Sequence, residues 1–137
     1  MRKVFILFIS LLLSSFTIAS TTPPFSDAVK VGDTLYLSGQ IGAINLGEPP
    51  VRGGITAETR QAMENIKGVL VKYNSSLNQI AKCTIMLADM QDWPMMNEVY
   101  ASYFSNDQYP ARSSFGTTGL AFGARVEIEC IATISKQ

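Results

Sequence analysis

A chain of 137 residues with eleven Lys/Arg, eleven Asp/Glu and no histidine is formally neutral at pH 7. That is the size of one domain with a modest core, and its basic residues are scattered, which argues against the phosphate-tracking surface of a nucleic-acid binder. Two cysteines without any histidine make a poor zinc site.

The N-terminus reads as a secretion signal, residues 1–19. Arg2 and Lys3 supply a positive start, residues 4–13 an almost unbroken apolar run, and residues 14–20 a small, polar tail. Thr17-Ile18-Ala19 ahead of Ser20 is an acceptable cleavage site. The apolar run falls short of the roughly 20 residues of a membrane span, so a retained anchor is the alternative reading. The expectation is an exported protein of a bacterial periplasm, with residues 20–137 as its single mature domain and no membrane attachment. Loss of Arg2 and Lys3 would leave nine basic residues against eleven acidic ones.

The mature chain opens on a predicted hairpin. Residues 28–31 and 34–38 are apolar strand-like runs on either side of Gly32-Asp33, where glycine can supply the positive φ of a tight turn. Residues 42–54 hold several glycines and prolines and read as a loop. A helix is expected next, with Thr56 as its N-cap and Glu58 in its first turn, where the dipole favours an acid. Its apolar stripe is Met63, Ile66, Leu70 and Tyr73, and Asn74-Ser75-Ser76 ends it. A third strand is expected over residues 80–87. The second helix is predicted to be capped by Asp92, with Pro94 in its first turn and Met96, Val99, Tyr100, Tyr103 and Phe104 on its buried side. Residues 111–117 and 125–134 are the last strands.

The order ββαβαββ predicts an α+β domain: one mixed sheet with two helices packed on one face. On the last strand Val126, Ile128, Cys130, Ala132 and Ile134 form an apolar face, and Glu127, Glu129, Ile131 and Thr133 a mixed one. Such a mixed face suits contact with another subunit, so an oligomer is expected. Cys83 and Cys130 both lie in apolar strand-like runs and read as buried free thiols, although in an oxidising compartment they could pair.

The last two strands carry the best-equipped candidate for chemistry. Strand alternation puts Arg112 on one face with Ser114, and Glu127 on one face with Glu129. If the two strands pair, a guanidinium and a carboxylate face one small pocket. Arg112 can grip a carboxylate through two parallel charge-assisted hydrogen bonds, or it can be a structural ion-pair partner, for instance of Glu129. Glu127 can orient a water and accept its proton, helped by the neighbouring charge of Glu129, or it can be a solvent-facing strand acid.

From Phe25 to Ile134 the chain resembles the RidA (YjgF) family of reactive-intermediate deaminases. The resemblance rests on Gly32-Asp33-Thr34-Leu35-Tyr36-Leu37-Ser38-Gly39-Gln40-Ile41, Glu64-Asn65-Ile66, Asn97-Glu98-Val99-Tyr100, Pro110-Ala111-Arg112-Ser113 and Val126-Glu127-Ile128-Glu129. It implies a chorismate-mutase-like fold, a homotrimer with ligand clefts between subunits, and hydrolysis of 2-imino acids or their enamines to 2-keto acids and ammonia, with no metal or organic cofactor. It further implies a substrate-gripping role for Arg112, a site acid at Glu127, and pocket positions at Gly39 and Asn97. Phe25 stands where the family has a tyrosine, and Ser114 where it has a cysteine; both are expected to touch substrate. Two other roles remain open on the same fold: a non-catalytic binder of small carboxylates, and an oligomeric holdase or interaction protein.

Overall fold

The structure, a computed structural model, describes residues 23–105 and 108–134; the expected signal segment and its cleavage site lie outside them. The order is β1 (Ala28–Val31), β2 (Thr34–Leu37), β3 (Gln40–Ile41), α1 (Gly54–Lys72), β4 (Ile80–Leu87), α2 (Trp93–Ala101), β5 (Ala111–Gly116) and β6 (Val126–Thr133), with three short 3₁₀ turns between them. This is the expected α+β domain with one added element, the two-residue β3.

The strands form one mixed sheet in the order β1-β2-β6-β4-β5, with β3 also pairing β6. Only β4 and β5 run parallel; the other pairs are antiparallel. The two helices lie on one face, α1 against α2 and β6. The core between them is built from Leu35, Met63, Ile66, Leu70, Ile85, Leu87, Met96, Val126 and Ile128. Alternation carries this on β6, where Val126, Ile128, Cys130 and Ala132 are buried and the residues between them are not.

Three expectations are corrected. The last two strands do not pair, because β4 lies between β5 and β6. The parallel β4–β5 contact is made across the α2 connection, and such a crossover leaves no local mark in the sequence. The first helix starts two residues before Thr56. Gly53 and Gly54 take φ values of 122° and 72°, which lets the chain turn into the helix without a side-chain cap. Cys83 and Cys130 are not free thiols: they face each other across β4 and β6 and form a disulfide, with Cα atoms 4.1 Å apart.

Beside β6 the register slips by one. Tyr36 is opposite Ile131 and Gln40 is opposite Ile128, so Leu37, Ser38 and Gly39 share the space facing Glu129 and Cys130. The extra residue is a bulge. It breaks β2 from β3 and brings the backbone of Gly39 against the side chain of Glu127.

Candidate active site

Arg112 projects from edge strand β5 toward the helices. It sits opposite Cys83, which sits opposite Cys130, and directly paired residues share a sheet face. Its Nη1 donates to Asn97 Oδ1 on α2 at 2.7 Å. Its guanidinium carbon lies 5.0 Å from the Tyr100 ring centroid and 5.9 Å from that of Trp93. Cation–π contacts of this kind hold the guanidinium without neutralising it. Among the described residues no carboxylate pairs with Arg112; the ion pairs are Lys67–Glu64, Lys72–Asp27 and Arg125–Asp92. The ion pair with Glu129 is therefore not made, since Glu129 lies on the other sheet face. Asn97, Tyr100, Ala101, Tyr109, Pro110 and Arg112 line a cavity of ≈ 470 Å³. Burial pushes the Tyr100 phenol up to about 12 against the opposing pull of Arg112, so it stays protonated at neutral pH. Ser114, one alternation further along β5, has a buried Oγ with no hydrogen-bond partner among the described residues.

Glu127 projects the other way. It sits opposite Met86, which sits opposite Phe115, all on the face the helices leave open. Its side chain is packed against Gly39: a Cβ there would run into Oε1, with Cδ at 2.9 Å and Cγ at 3.0 Å. Burial first, and the charge of Glu129 second, raise the Glu127 pKa above its ordinary value. Glu127, Gly39 and Phe25 line a second cavity, of ≈ 490 Å³.

The six expected residues thus fall into two groups. Asn97, Arg112 and Ser114 lie on the helix side, and Gly39 and Glu127 on the open side at the β3 edge, where Phe25 joins them in lining one cavity. The expectation that one chain brings Arg112 and Glu127 to one pocket is not met. Two strand spacings, about 10 Å, an offset of three residues along the strands, about another 10 Å, and the thickness of the sheet separate them.

Residues that the sequence did not single out for the site tie it together. Arg125 donates from Nε and Nη2 to the two Asp92 oxygens at 2.9 and 2.8 Å, and its backbone N–H donates to Glu58 Oε2 at 2.8 Å. Asp92 and Glu58, both buried, thereby fasten the start of β6, two residues before Glu127, to both helices. Asp92 was expected to cap α2 and makes no such bond; its carboxylate is taken by the guanidinium. Asn65 donates to the carbonyls of Ile41 and Ala43 at 3.1 and 2.8 Å and holds the strand that follows Gly39. An arginine and an aspartate 33 positions apart give no local signal of their pairing. Among the described residues no group of three or more His, Cys, Asp or Glu is gathered to hold a metal, and no helix is long and apolar enough to cross a membrane.

Comparison with known proteins places this geometry. The family model described as Endoribonuclease L-PSP matches residues 17–134. A mouse protein named 2-iminobutanoate/2-iminopropanoate deaminase is 40% identical over 109 residues, 80% of each chain. The crystal structure of RidA from the Antarctic bacterium Psychrobacter sp. superposes with a TM-score of 0.76 at 36% identity, covering 84% of this chain and 92% of that one. Escherichia coli TdcF, solved with bound serine, superposes with a TM-score of 0.74 at 32% identity, covering 83% and 91%. The chain belongs to the Endoribonuclease L-PSP family, which includes the RidA/YjgF proteins.

Proposed function

We propose that this protein is a deaminase that hydrolyses reactive 2-imino acids to 2-keto acids and ammonia. The observation that carries the reading is Arg112: a guanidinium held by an amide and two aromatic faces, in a cavity, with no carboxylate of its own among the described residues. Such a group suits the carboxylate of a small guest. The name of the mouse relative and the serine held by Escherichia coli TdcF point to the same class of molecule.

The two groups of residues project to opposite faces of one sheet, so the complete cleft is proposed to form between copies in a homotrimer. Arg112 of one copy would grip the substrate carboxylate, with Asn97 fixing its orientation and Ser114 on the same face. Glu127 of the next copy would orient water, with Gly39 giving it room and Phe25 providing an apolar wall. Water adds to the imine carbon as Glu127 takes its proton. That proton passes to nitrogen to give a carbinolamine; the remaining hydroxyl proton then passes through Glu127 to nitrogen as the C–N bond breaks, so ammonia leaves and the carbonyl of the keto acid remains. Holding an electrophilic imine beside an oriented water is mainly a proximity effect, and this modest set of groups suffices for it.

Residues 1–19 are proposed to be a cleaved export signal ahead of a mature domain in the periplasm. The Cys83–Cys130 disulfide supports that reading, since such bonds persist in oxidising compartments. A ribonuclease role for the mature chain is disfavoured by its scattered basic residues and weakly acidic balance.

The test is ammonia and keto-acid release from imines generated in situ by an amino-acid oxidase. Arg112→Ala should lower kcat/KM about a hundredfold or more, from the loss of two charge-assisted hydrogen bonds of roughly 1.5–3 kcal/mol each. Undiminished activity in that variant defeats the site assignment. Binding of 2-keto acids without any rate enhancement by the wild type would make the protein a carboxylate binder instead.

A further inference from the structure

The cavity beside Glu127 continues into an apolar trough walled by Phe25, Ile41, Leu46, Ala121 and Phe122, and Glu127 is the one ionisable side chain among its lining residues. Phe122 is unusual in two independent ways. It is 57% exposed although it is a large aromatic, and its backbone sits at φ 55°, ψ 23°, inside the left-handed region. A bulky side chain at positive φ is strained, and strain of this kind persists where the surroundings demand that residue in that place. Core packing does not explain Phe122, because its ring is largely outside the core. Leu46, 67% exposed, faces the same trough from the loop after β3.

We propose that Phe122 and Leu46 form a side-chain pocket that selects 2-imino acids bearing large apolar side chains, branched aliphatic or aromatic, over those derived from alanine or serine. The proposal rests on the deaminase reading, with the substrate carboxylate on Arg112 and the imine carbon beside Glu127. On the Glu127 side of Phe122 and Leu46 a hydroxyl-bearing side chain meets no neutral polar side chain; Gln40, Asn45 and Asn65 line the adjoining cavity toward α1 instead. An apolar side chain covers Phe122 and Leu46 from water, and each added methylene in such a pocket is worth about tenfold or more in kcat/KM.

The experiment uses the purified full mature chain with imines made in situ from alanine, serine, leucine and phenylalanine. The leucine and phenylalanine imines should be turned over at least about tenfold faster, in kcat/KM, than those of alanine and serine. Phe122→Gly should collapse that ratio toward one. It should leave Tm unchanged or higher, since glycine adopts this φ without strain, so misfolding is not the cause. A preference for the alanine imine, or an unchanged ratio in Phe122→Gly, overturns the pocket. If no imine is accelerated the deaminase reading fails by itself, and calorimetry then decides the pocket. Binding of 4-methyl-2-oxopentanoate about tenfold tighter than pyruvate supports it, and equal affinities overturn it.

Discussion

Replacing Gly39 by alanine separates the placement of the Glu127 carboxylate from the stability of the fold. The new methyl would overlap Glu127 Oε1 and press on Cδ and Cγ at 2.9 and 3.0 Å, while no backbone atom is among its three nearest neighbours. The obstacle is thus the far end of a flexible side chain, which can swing aside. The fold should lose little, below the roughly 1–3 kcal/mol of true overpacking. The carboxylate, however, must retreat by on the order of 1 Å, and misplacement on that scale costs about a hundredfold in rate. Gly39→Ala should therefore lower kcat about a hundredfold on imines generated in situ, with a shift in Tm of no more than a few degrees. A double-mutant cycle sharpens the test. Gly39→Ala combined with Glu127→Gln should be no slower than Glu127→Gln alone, because both changes act through one group. Wild-type turnover in Gly39→Ala, or additive losses in the double variant, would refute the role given to this contact.

Three further outcomes are expected. Burial, reinforced by Glu129, raises the Glu127 pKa, so the acid limb of kcat/KM should lie above pH 4.5 and move down in Glu129→Gln; a limb at or below 4.5 that ignores Glu129 removes the proton-acceptor role. Since the folded-state pKa exceeds the unfolded one, ionisation of Glu127 takes stability away as pH rises through it. The urea midpoint of Glu127→Gln relative to wild type, at fixed protein concentration, should accordingly be higher at pH 7 than at pH 4. The disulfide spans a sequence separation of 47, and Cys83→Ala/Cys130→Ala should lose about 4 kcal/mol in equilibrium unfolding on the loop-entropy account; an unchanged midpoint contradicts it.

How far the sequence could be read follows from what is local. The strand expected over residues 80–87 has the bounds that β4 takes in the structure. The stripe Met63, Ile66, Leu70 gave the buried face of α1, and all three are fully buried. The non-local facts were hidden. That β4 lies between β5 and β6 depends on a crossover, and with it went the expected meeting of Arg112 and Glu127 in one chain. The pairing of Cys83 with Cys130 depends on the register of β4 on β6, which neither cysteine's neighbours encode. Asp92 looked like a cap because aspartate before Trp93-Pro94 usually is one, and the competitor that won its carboxylate is Arg125, far along the chain. The motif residues could be named as candidates from the sequence, but their division between two faces could not. Phe122 carried no signal at all, since an aromatic between alanine and glycine gives no hint of its left-handed backbone.

The division of the site between the two faces of the sheet has a genetic consequence on the reading proposed here. A copy crippled at Arg112 still presents a sound carboxylate, and a copy crippled at Glu127 still presents a sound guanidinium. Two alleles, each inactive when alone in a cell, would complement when co-expressed, because some mixed assemblies join the surviving halves. Loss-of-function lesions on opposite sides of this sheet should then sort into two complementation groups, although they lie in one small gene.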